Sequence, residues 1–286
     1  MPEGPEVKRH VLALNALLSG TNLVKVKLLG GPYIHSEKHS VLRQRVSSLN
    51  KTISDLKNGN IKIEKVKNKG KQIYIQIRLI SKDKNGVKFI STHLGMTGCW
   101  KKTKSKHSLI EIRYEKNGKI DSIFLDDYRR FSAFEILSVK EMREKILSIG
   151  PDVLGENFKY PVFIKAFKPY SNSKRLIADI LSDQSIISGI GNYLRSEILY
   201  VAKISPTRMI STLDAEELRM LHKAIKYVVK SAYFKGGISK YDGEDIPLHG
   251  HYEPIVYEKE LDPNGEEVKT VRIQNRTVYW VPSVQK

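Results

Sequence analysis

Three Asn-Gly pairs constrain the fold of the first half of this chain more than any other feature. They are Asn58-Gly59, Asn85-Gly86 and Asn117-Gly118, and each lies between apolar runs. Asn-Gly readily supplies two successive residues with positive φ, which two-residue hairpin turns require. Apolar residues alternate near these turns, most clearly at Ile73, Ile75, Ile77 and Leu79. From Gly20 to about residue 135 the pattern predicts meandering antiparallel strands in a β-sandwich or two-layer β domain, rather than βαβ units.

A helical pattern precedes this β region. Val7, Val11, Leu14 and Leu18 are spaced by four, three and four residues, which places them on one face of a helix over residues 5–18. Gly20 follows the last of them and is expected to end the helix. The first residues of the chain would therefore be carried on a buried helix.

Helical patterns return beyond residue 137. Ser138 can cap a helix that runs to about Leu147, and Gly150-Pro151 ends it. Helices then dominate from about 155 to 234, the last of them preceded by the capping stretch Ser211 to Asp214. The apolar face of that last helix consists of Leu218, Leu221, Ile225 and Val228.

The change of pattern near residue 137 suggests two domains, and 286 residues suffice for two of ordinary size. We predict an α+β fold. An N-terminal antiparallel β-sandwich with flanking helices takes residues 1–137, a linker takes 138–152, and a helical domain takes 153–235. Residues 236–286 would form a mobile polar loop, near 236–252, and a terminal β-hairpin turning at Asp262-Pro263-Asn264-Gly265.

The chain is strongly basic, with 49 Lys and Arg against 31 Asp and Glu, a formal charge of +18 and a pI near 9.7. Such a charge points to a polyanionic partner, and nucleic acid is the first candidate. An anionic membrane surface is the rival. No apolar run approaches the roughly 18 residues of a spanning helix, and no basic amphipathic helix stands alone.

The N-terminus lacks the basic and apolar regions of a signal peptide, and Cys99 is the single cysteine. An intrachain disulfide and a four-cysteine zinc site are both excluded by that count. These features predict an intracellular protein that is not secreted.

The first residues, Met1-Pro2-Glu3-Gly4-Pro5-Glu6, carry the first chemical signal. Removal of Met1 would leave Pro2 as a secondary amine. An α-amino group has a pKa of roughly 7.7–8.0, so it is partly unprotonated near neutral pH and can attack an electrophilic carbon. Glu3 is placed to donate a proton to the attacked group, provided that burial raises its pKa. The alternative is that Met-Pro is a common start and that Glu favours the first helical turn.

Two glycine-rich or charged turns carry the next signals. Gly70-Lys71 lies in a predicted hairpin turn among other lysines, where it could contact a phosphate or simply keep the turn soluble. Met96 lies between Gly95 and Gly98, and Phe131 follows two arginines. Each of these two could be an ordinary core residue. In a basic protein they could instead be wedges that enter a base stack while Arg129 satisfies an orphaned base.

A third signal lies in residues 184–197, where Gly189 and Gly191 interrupt two helical patterns and Asn192 opens the second. Backbone amides at such a helix start bind phosphate, and the Asn side chain adds a donor. An ordinary helix–turn–helix with Asn192 as its N-cap is the alternative.

Together these residues resemble the formamidopyrimidine-DNA glycosylase and endonuclease VIII family, over nearly the whole chain. The N-terminal Pro2 to Glu6 looks like the endonuclease VIII form, since the other branch usually has Leu where Gly4 stands. Lys71 matches the family's hairpin lysine, and His93 to Gly98 its HLGM[ST]G motif. Asp127 to Phe131 matches D-x-R-R-F, and Gly189 to Glu197 matches the helix–two-turn–helix signature.

The tail departs from the commoner members, which end in a four-cysteine zinc finger. Asn275 to Trp280 resembles the finger's G-R-T segment, but Val281 and Val284 stand where the last two zinc ligands would be. This is similar to the zincless finger of some endonuclease VIII-like proteins, with Arg276 as the phosphate-binding arginine. Ser185 stands where many relatives carry lysine, so the resemblance assigns that position no role.

The resemblance implies a monomeric DNA glycosylase with lyase activity at abasic sites, acting on double- or single-stranded DNA that contains oxidised bases or abasic sites. DNA would lie in a basic cleft between the domains. No cofactor and no metal are implied. The implied catalytic residues are Pro2, Glu3, Glu6 and Lys71, and the implied DNA-binding residues are Met96, Arg129, Phe131, Asn192, Glu197 and Arg276.

Two other functions are weighed against this one. A non-catalytic DNA-bending protein would have the same charge and the same wedges, but it would not need the Pro2-Glu3 pair. An RNA-binding or ribosomal protein is less supported, because the sequence has no RNP-type aromatic motif.

Overall fold

The structure of the protein is a computed structural model that describes residues 2–55, 61–80, 86–238 and 251–286. The chain forms two compact units. Among the described residues, the first unit comprises Pro2 and Val7–Ile146, and the second comprises Glu3–Glu6, 147–238 and 251–286. The boundaries placed from the sequence at 137 and 152 stay predictions. No described helix is both long enough and apolar enough to cross a membrane.

The described residues of the N-terminal half form four α-helices and eight β-strands. The helices are α1 (Gly4–Leu18), α2 (Pro32–His35), α3 (Ser40–Asp55) and α4 (Val139–Leu147). The strands are β1 (Asn22–Leu28), β2 (Ile61–Lys69), β3 (Gln72–Leu79), β4 (Gly86–His93), β5 (Cys99–Lys101), β6 (Ser108–Lys116), β7 (Lys119–Asp126) and β8 (Ala133–Ser138).

The eight strands form an antiparallel sheet in the order β5-β7-β6-β1-β2-β3-β4-β8. Strand β1 pairs with β6 along most of its length, whereas it meets β2 at Asn22 opposite Lys62. The sheet therefore consists of two four-stranded halves, and side chains of both halves share one apolar core with α1. This arrangement agrees with the predicted antiparallel sandwich.

One of the three Asn-Gly hairpin signals falls wholly within the described residues, and it forms the turn that it predicts. Asn117 and Gly118 have φ values of 53° and 77° and form a two-residue turn between the paired residues Lys116 and Lys119. This is the turn that Asn-Gly favours, because both central residues must have positive φ. Asn58-Gly59 and Asn85 lie outside the described residues.

The prediction of β structure throughout residues 20–135 was wrong for one segment, which forms α2 and α3. Leu42, Val46 and Leu49 are spaced by four and three residues and are buried on one face of α3. That spacing is helical, and the helix packs its apolar face into the core of the sandwich. The signal is present in the sequence but lies between two β-rich stretches.

Helices α1 and α4 match their predictions. All four residues of the predicted α1 face are buried, and Gly20 has a φ of 79° just beyond the helix. At the start of α4, the Ser138 hydroxyl accepts a hydrogen bond from the Glu141 N–H, and the Glu141 carboxylate accepts one from the Ser138 N–H at 2.8 Å. This reciprocal capping satisfies two N–H groups that a helix start leaves unpaired.

The second unit is helical and ends in a hairpin. Its helices are α5 (Tyr160–Phe167), α6 (Ile177–Ser182), α7 (Asn192–Val201) and α8 (Ala215–Lys235), and its strands are β9 (Lys269–Ile273) and β10 (Arg276–Trp280). Helix α8 begins at a capping box between Asp214 and Glu217 and ends at Gly236, which has a φ of 101°. The buried face of α8 contributes to a core that also includes Ile273 and Val278 of the hairpin.

The terminal β-hairpin is confirmed, but its turn was placed wrongly. Strands β9 and β10 are joined at Gln274 and Asn275, whose φ values are 49° and 58°. Residues 262–265 instead form a separate turn in which the Asp262 carboxylate accepts the N–H groups of Asn264 and Glu266. The Pro-Asn-Gly sequence identified a turn correctly, but the neighbouring alternation did not show which strands it joined.

Candidate functional site

The carboxylate of Glu3 is held by the first backbone N–H groups of helix α7. It accepts hydrogen bonds from Gly191 at 2.6 Å, Tyr193 at 3.0 Å and Leu194 at 3.3 Å. The N-terminus of a helix carries unpaired N–H donors and a partial positive charge, so it stabilises an anion there. Glu3 is only 1 % exposed, and its negative charge is therefore compensated by a fixed array of amides.

Glycines make room for this contact. A Cβ on Gly191 would lie 2.7 Å from Cγ of Glu3 and closer still to its carboxylate. The residue after Glu3, Gly4, donates its N–H to the carbonyl of Gly189 at 2.8 Å. A Cβ on Gly4 would lie 3.1 Å from that carbonyl oxygen and 3.2 Å from the Gly189 Cα. A side chain at position 4 would therefore require the Gly189 backbone to move by a few tenths of an ångström.

Glu6 connects three segments of the second unit. Its carboxylate accepts hydrogen bonds from the N–H of Glu3 at 2.7 Å, the hydroxyl of Tyr193 at 2.8 Å and the N–H of Ile238 at 2.9 Å. Burial raises the pKa of Glu6, while these three donors act in the opposite direction. Gly237, with a φ of 78°, brings the backbone close, since a Cβ there would lie 2.8 Å from Cδ of Glu6.

Pro2 and Lys71 are both buried residues of the first unit. Lys71 occupies the two-residue turn between the paired residues Lys69 and Gln72, where Gly70 has a φ of 55°. The pKa of His93 is lowered mainly by burial, and the positive charges of Lys71 and Lys145 lower it further. His93 accepts the N–H of Gly95 at its Nδ1 atom, at 3.0 Å, which agrees with a neutral ring.

The predicted wedge Met96 lies in a turn built on two glycines. Gly95 has a φ of 61°, and a Cβ there would lie 2.6 Å from the carbonyl carbon of Phe131. A Cβ on Gly98 would lie 3.0 Å from the carbonyl carbon of Leu94. The Met96 turn therefore packs backbone to backbone against the segment that carries Phe131. Met96 itself is 37 % exposed, which a core residue would not be.

Asp127 organises the neighbouring loop. Its buried carboxylate accepts the hydroxyl of Thr97, the N–H of Arg129 at 3.1 Å and the N–H of Ser132 at 2.7 Å. The loop projects Phe131, which is 57 % exposed, and the Arg129 guanidinium lies 5.2 Å from the centre of its ring. Both predicted wedges, Met96 and Phe131, are thus exposed apolar side chains of the first unit, on loops held together by Asp127 and by backbone packing at Gly95.

Asn192 and Arg276 meet at the finger hairpin. The Asn192 side chain donates to the carbonyl of Thr277 at 2.8 Å and accepts from the buried guanidinium of Arg195 at 2.6 Å. Burial lowers the pKa of Arg195 to about 10, and the charge of Arg276 acts in the same direction. Gly191, not Asn192, is the N-cap of α7. The side chain of Asn192 is therefore used to join the helix start to β10, next to the exposed Arg276.

Glu197 lies in the interior of the second unit. It is 0 % exposed, and it accepts the hydroxyl of Tyr252 at 3.0 Å and the N–H groups of Ile255, Val256 and Tyr257 at 2.7–2.9 Å. These four donors occupy both carboxylate oxygens. The DNA contact predicted for Glu197 does not match this placement, because the carboxylate is not exposed at the protein surface.

The finger segment is tied to the rest of its unit without thiolates. The Asp262 carboxylate accepts the hydroxyl of Tyr200 at 2.8 Å, which anchors the 262–265 turn on helix α7. Val281 is fully buried and Val284 is half-buried, and the Gln285 side chain bonds to both Val281 N–H and the carbonyl of Ile204. Within the described ranges no three His, Cys, Asp or Glu residues come together as a metal site would require.

Sequence reasoning missed three residues that position the carboxylates. The Tyr193 hydroxyl donates to Glu6, and the absence of a side chain at Gly237 leaves room for Glu6. Gln184 holds the loop before α7, because its side chain accepts the N–H of Gly189 at 3.0 Å and donates to the carbonyl of Ile190 at 2.8 Å. The partner of Tyr193 and of Gly237 is distant in sequence, whereas those of Gln184 lie five and six residues away. Tyr193 lies within the matched helix–two-turn–helix signature, so the signature was the one signal available for it.

Family comparisons cover nearly the entire chain. Residues 1–134 match the formamidopyrimidine-DNA glycosylase N-terminal domain, residues 149–242 the H2TH domain, and residues 245–286 the C-terminal domain of the same glycosylase. A formamidopyrimidine-DNA glycosylase of Prochlorococcus marinus strain MIT 9215 is 32 % identical over 69 % of this chain and 71 % of its own length. One from Mycoplasma genitalium is 30 % identical over 82 % of this chain and 77 % of its own length.

Two solved structures of similar fold are complexes with DNA. A Lactococcus lactis Fpg bound to DNA with an abasic site aligns with a TM-score of 0.81 at 21 % identity, covering 99 % of both chains. MutM in complex with DNA containing carbocyclic 8-oxo-G aligns with a TM-score of 0.79 at 21 % identity, covering 100 % of both. These similarities establish the fold.

Proposed function

Because the chain belongs to the formamidopyrimidine-DNA glycosylase and endonuclease VIII family, we propose that Pro2 and Glu3 carry its chemistry. The protein is a DNA glycosylase of base excision repair with lyase activity at abasic sites. The observation that supports the assignment most is the placement of Glu3. Its carboxylate is fixed by three amides of α7, and it is joined directly to Pro2 by one peptide bond.

The reaction requires that Met1 be removed, because the nitrogen of Pro2 is otherwise a tertiary amide without a nucleophilic lone pair. The free amine attacks C1′ of the damaged nucleotide, and the bond from C1′ to the base breaks. Glu3, a carboxylate before the attack, takes the proton that the Pro2 nitrogen loses and delivers it to the ring oxygen as the sugar opens. This leaves an iminium ion between Pro2 and C1′, while the departing base takes a proton from water. The amides of α7 then hold Glu3 as a carboxylate, whose charge stabilises the cation.

The iminium ion makes the C2′ hydrogen acidic. Loss of that proton expels the 3′ phosphate by β-elimination, and a further proton loss expels the 5′ phosphate by δ-elimination. Water then releases Pro2 from the sugar fragment. Glu6 acts on this sequence as a positioning residue, because it binds the N–H of Glu3 rather than facing the sugar.

Recognition of the lesion is assigned to two groups of residues. The exposed Met96, Arg129 and Phe131 fill the space that the flipped nucleotide leaves. Lys71, Asn192 and Arg276 bind phosphates, and Glu197 keeps residues 255–257 in place below the hairpin. The glycine at position 4, which resembles the endonuclease VIII form of the N-terminal motif, is the basis on which we assign oxidised pyrimidines and further-oxidised purines as substrates.

Borohydride trapping tests the proposal. Protein shown by mass spectrometry to lack Met1 is mixed with duplex DNA carrying one oxidised pyrimidine, and borohydride reduces any iminium ion to a stable adduct. We expect a covalent adduct that maps to Pro2, and strand products that carry phosphate at both ends. Specific binding without an adduct would favour the non-catalytic DNA-bending protein. An adduct on a lysine would remove Pro2 from its role.

A further inference from the structure

We propose that the outer face of helix α8 is a docking surface for an acidic amphipathic helix of another protein. Helix α8 is 21 residues long and is fixed on its inner side by the core of the second unit. Its outer side carries two parallel rows of exposed residues. Neither row takes part in the proposed repair chemistry.

The first row, here the apolar row, consists of Met220, Tyr227 and Phe234. Their exposed fractions are 43 %, 64 % and 77 %. They recur every seven residues and therefore lie almost in line along the helix. Apolar side chains that stay in line along an exposed helix face form the pattern by which one helix packs against another.

The second row, here the cationic row, consists of Arg219, Lys223, Lys226 and Lys230. All four are exposed and lie beside the apolar row on the helix surface. Among them, Arg219 pairs with Glu216 at 3.2 Å, at the N-terminal end of the row. Lys223, Lys226 and Lys230 continue the positive charge toward the C-terminal end of α8.

The spacing of the apolar row favours a helix over a nucleic-acid strand. Seven residues of an α-helix rise by about 10.5 Å, which equals the heptad repeat of a second helix packed alongside. Stacked bases recur at about 3.4 Å per strand, so a row with rings about 10.5 Å apart does not follow a strand base by base. An apolar row flanked by charged residues is the arrangement by which two helices pack side by side.

The positive charge of the cationic row determines which kind of helix can bind beside it. Four cations in one row favour a helix with Glu or Asp along one edge of its apolar stripe. A second copy of this chain would bring the same positive row, on a protein of formal charge +18, and is disfavoured by repulsion. The occupant is therefore acidic and amphipathic.

A synthetic peptide tests this surface apart from the repair chemistry. The probe is a fluorescent helical peptide of roughly three heptads, with Leu at seven-residue spacing and Glu beside it. A matched peptide carries Lys in place of Glu. We expect the acidic peptide to bind, as read by anisotropy, and the lysine peptide to bind at least about tenfold more weakly.

Two variants locate the binding on α8. Tyr227→Ala with Phe234→Ala removes the apolar row, and Lys223→Glu with Lys226→Glu and Lys230→Glu reverses the cationic row. Each should weaken the acidic peptide by about tenfold or more, while the melting temperature stays near that of the parent. Lys235→Glu is the control, since Lys235 is exposed on the same helix but lies about 120° around it from Lys223.

Equal affinity for the two peptides, or unchanged affinity in both variants, would overturn the proposal. So would a finding that the charge-reversal variant loses affinity for single-stranded oligothymidylate while the acidic peptide fails to bind, since the face would then be a nucleic-acid site. The peptide assay requires neither Pro2 nor damaged DNA, so its outcome is independent of the proposed repair function.

Discussion

The carboxylate of Glu3 occupies the space that a side chain on Gly191 would need. A Cβ at Gly191 would lie 2.7 Å from Cγ of Glu3, while the Gly191 N–H donates to that carboxylate at 2.6 Å. The glycine both binds the carboxylate and leaves room for it. The N-terminal Glu3 and the start of α7 therefore depend on each other.

Gly191→Ala should displace Glu3 and lower base removal and strand cleavage by about 100-fold or more, because a shift of about 1 Å at a reacting group has effects of this size. Single-turnover assays on an oxidised pyrimidine measure the loss. Gly30→Ala is the matched control, because its Cβ would meet only a carbonyl oxygen at 3.7 Å. Full activity in Gly191→Ala would show that the position of Glu3 is not required.

Retention of Met1 should abolish strand cleavage and borohydride trapping while DNA binding survives, because the amide nitrogen of Pro2 cannot attack C1′. A variant with a larger second residue, Pro2→Leu, would retain Met1, and mass spectrometry would establish the N-terminus of each sample. Normal cleavage by protein that carries Met1 would eliminate Pro2 as the nucleophile.

Tyr193→Phe should raise the pKa of Glu6 further, because the Tyr193 hydroxyl is the donor that lowers it most. Carboxyl ¹³C NMR titration would detect the shift. Since the native pKa lies above the unfolded value of about 4.3, the native state binds more protons. Stability from Glu6 is thus complete below about pH 4.3 and is lost as pH rises through the native pKa.

In Tyr193→Phe the contribution of Glu6 to the free energy of unfolding should persist to higher pH before it is lost. Urea unfolding between about pH 4 and 7 would show this shift. Tyr128→Phe is the control, because Tyr128 is an exposed residue of a loop in the other unit. Identical pH profiles for the parent and Tyr193→Phe would mean that the hydroxyl does not set the charge state of Glu6.

Arg276→Ala and Lys71→Ala should each reduce the dependence of DNA affinity on salt. One lost phosphate contact lowers the slope of log K against log salt by about 0.9. Binding to duplex DNA across a range of salt concentrations measures the slope. Lys119→Ala, at an exposed hairpin lysine, is expected to leave it unchanged. Slopes equal to that of the parent in both variants would remove Arg276 and Lys71 from the phosphate contacts.

Val281→Asp should loosen the finger hairpin and lower cleavage, because Val281 is fully buried and an unpaired carboxylate there costs about 3 kcal/mol or more. Chelators should leave folding and cleavage of the parent unchanged, and elemental analysis should find no stoichiometric zinc. Val284→Asp should have a smaller effect, since Val284 is half-buried. Activity lost on chelation and restored by zinc would contradict this account.

Local patterns predicted much of the fold. The spacing of the α1 face, the Ser138 cap, the alternation at Ile73 to Ile77 and the Asn117-Gly118 turn each specify structure within a few residues, and each has its predicted form. Helix α3 was missed because the β signals on both sides outweighed a valid helical spacing. The hairpin turn was misplaced because Asn275, unlike Asp262-Pro263-Asn264-Gly265, carries no neighbouring glycine.

The sequence predicted which residues belong to the site better than it predicted which partners they bind. Motifs identified Glu3, Asn192 and Glu197, but their partners lie far away in sequence: Glu3 binds amides near 191, and Glu197 binds amides near 256. No periodicity encodes such pairs. The interior position of Glu197 could not be deduced, because a carboxylate in a DNA-binding motif is ordinarily expected on the surface.

The hairpin held by Asp262, Val278 and Val281 has a chemical consequence for an enzyme of base excision repair. Zinc fingers depend on thiolates, which the oxidants that damage DNA also convert to sulfenic acids and disulfides. This hairpin offers no thiolate to attack. The one cysteine, Cys99, is buried, and burial raises its pKa to about 11, so it stays a thiol near neutral pH. Arg276, the proposed phosphate-binding residue, thus stands on a hairpin whose support does not depend on an oxidisable thiolate.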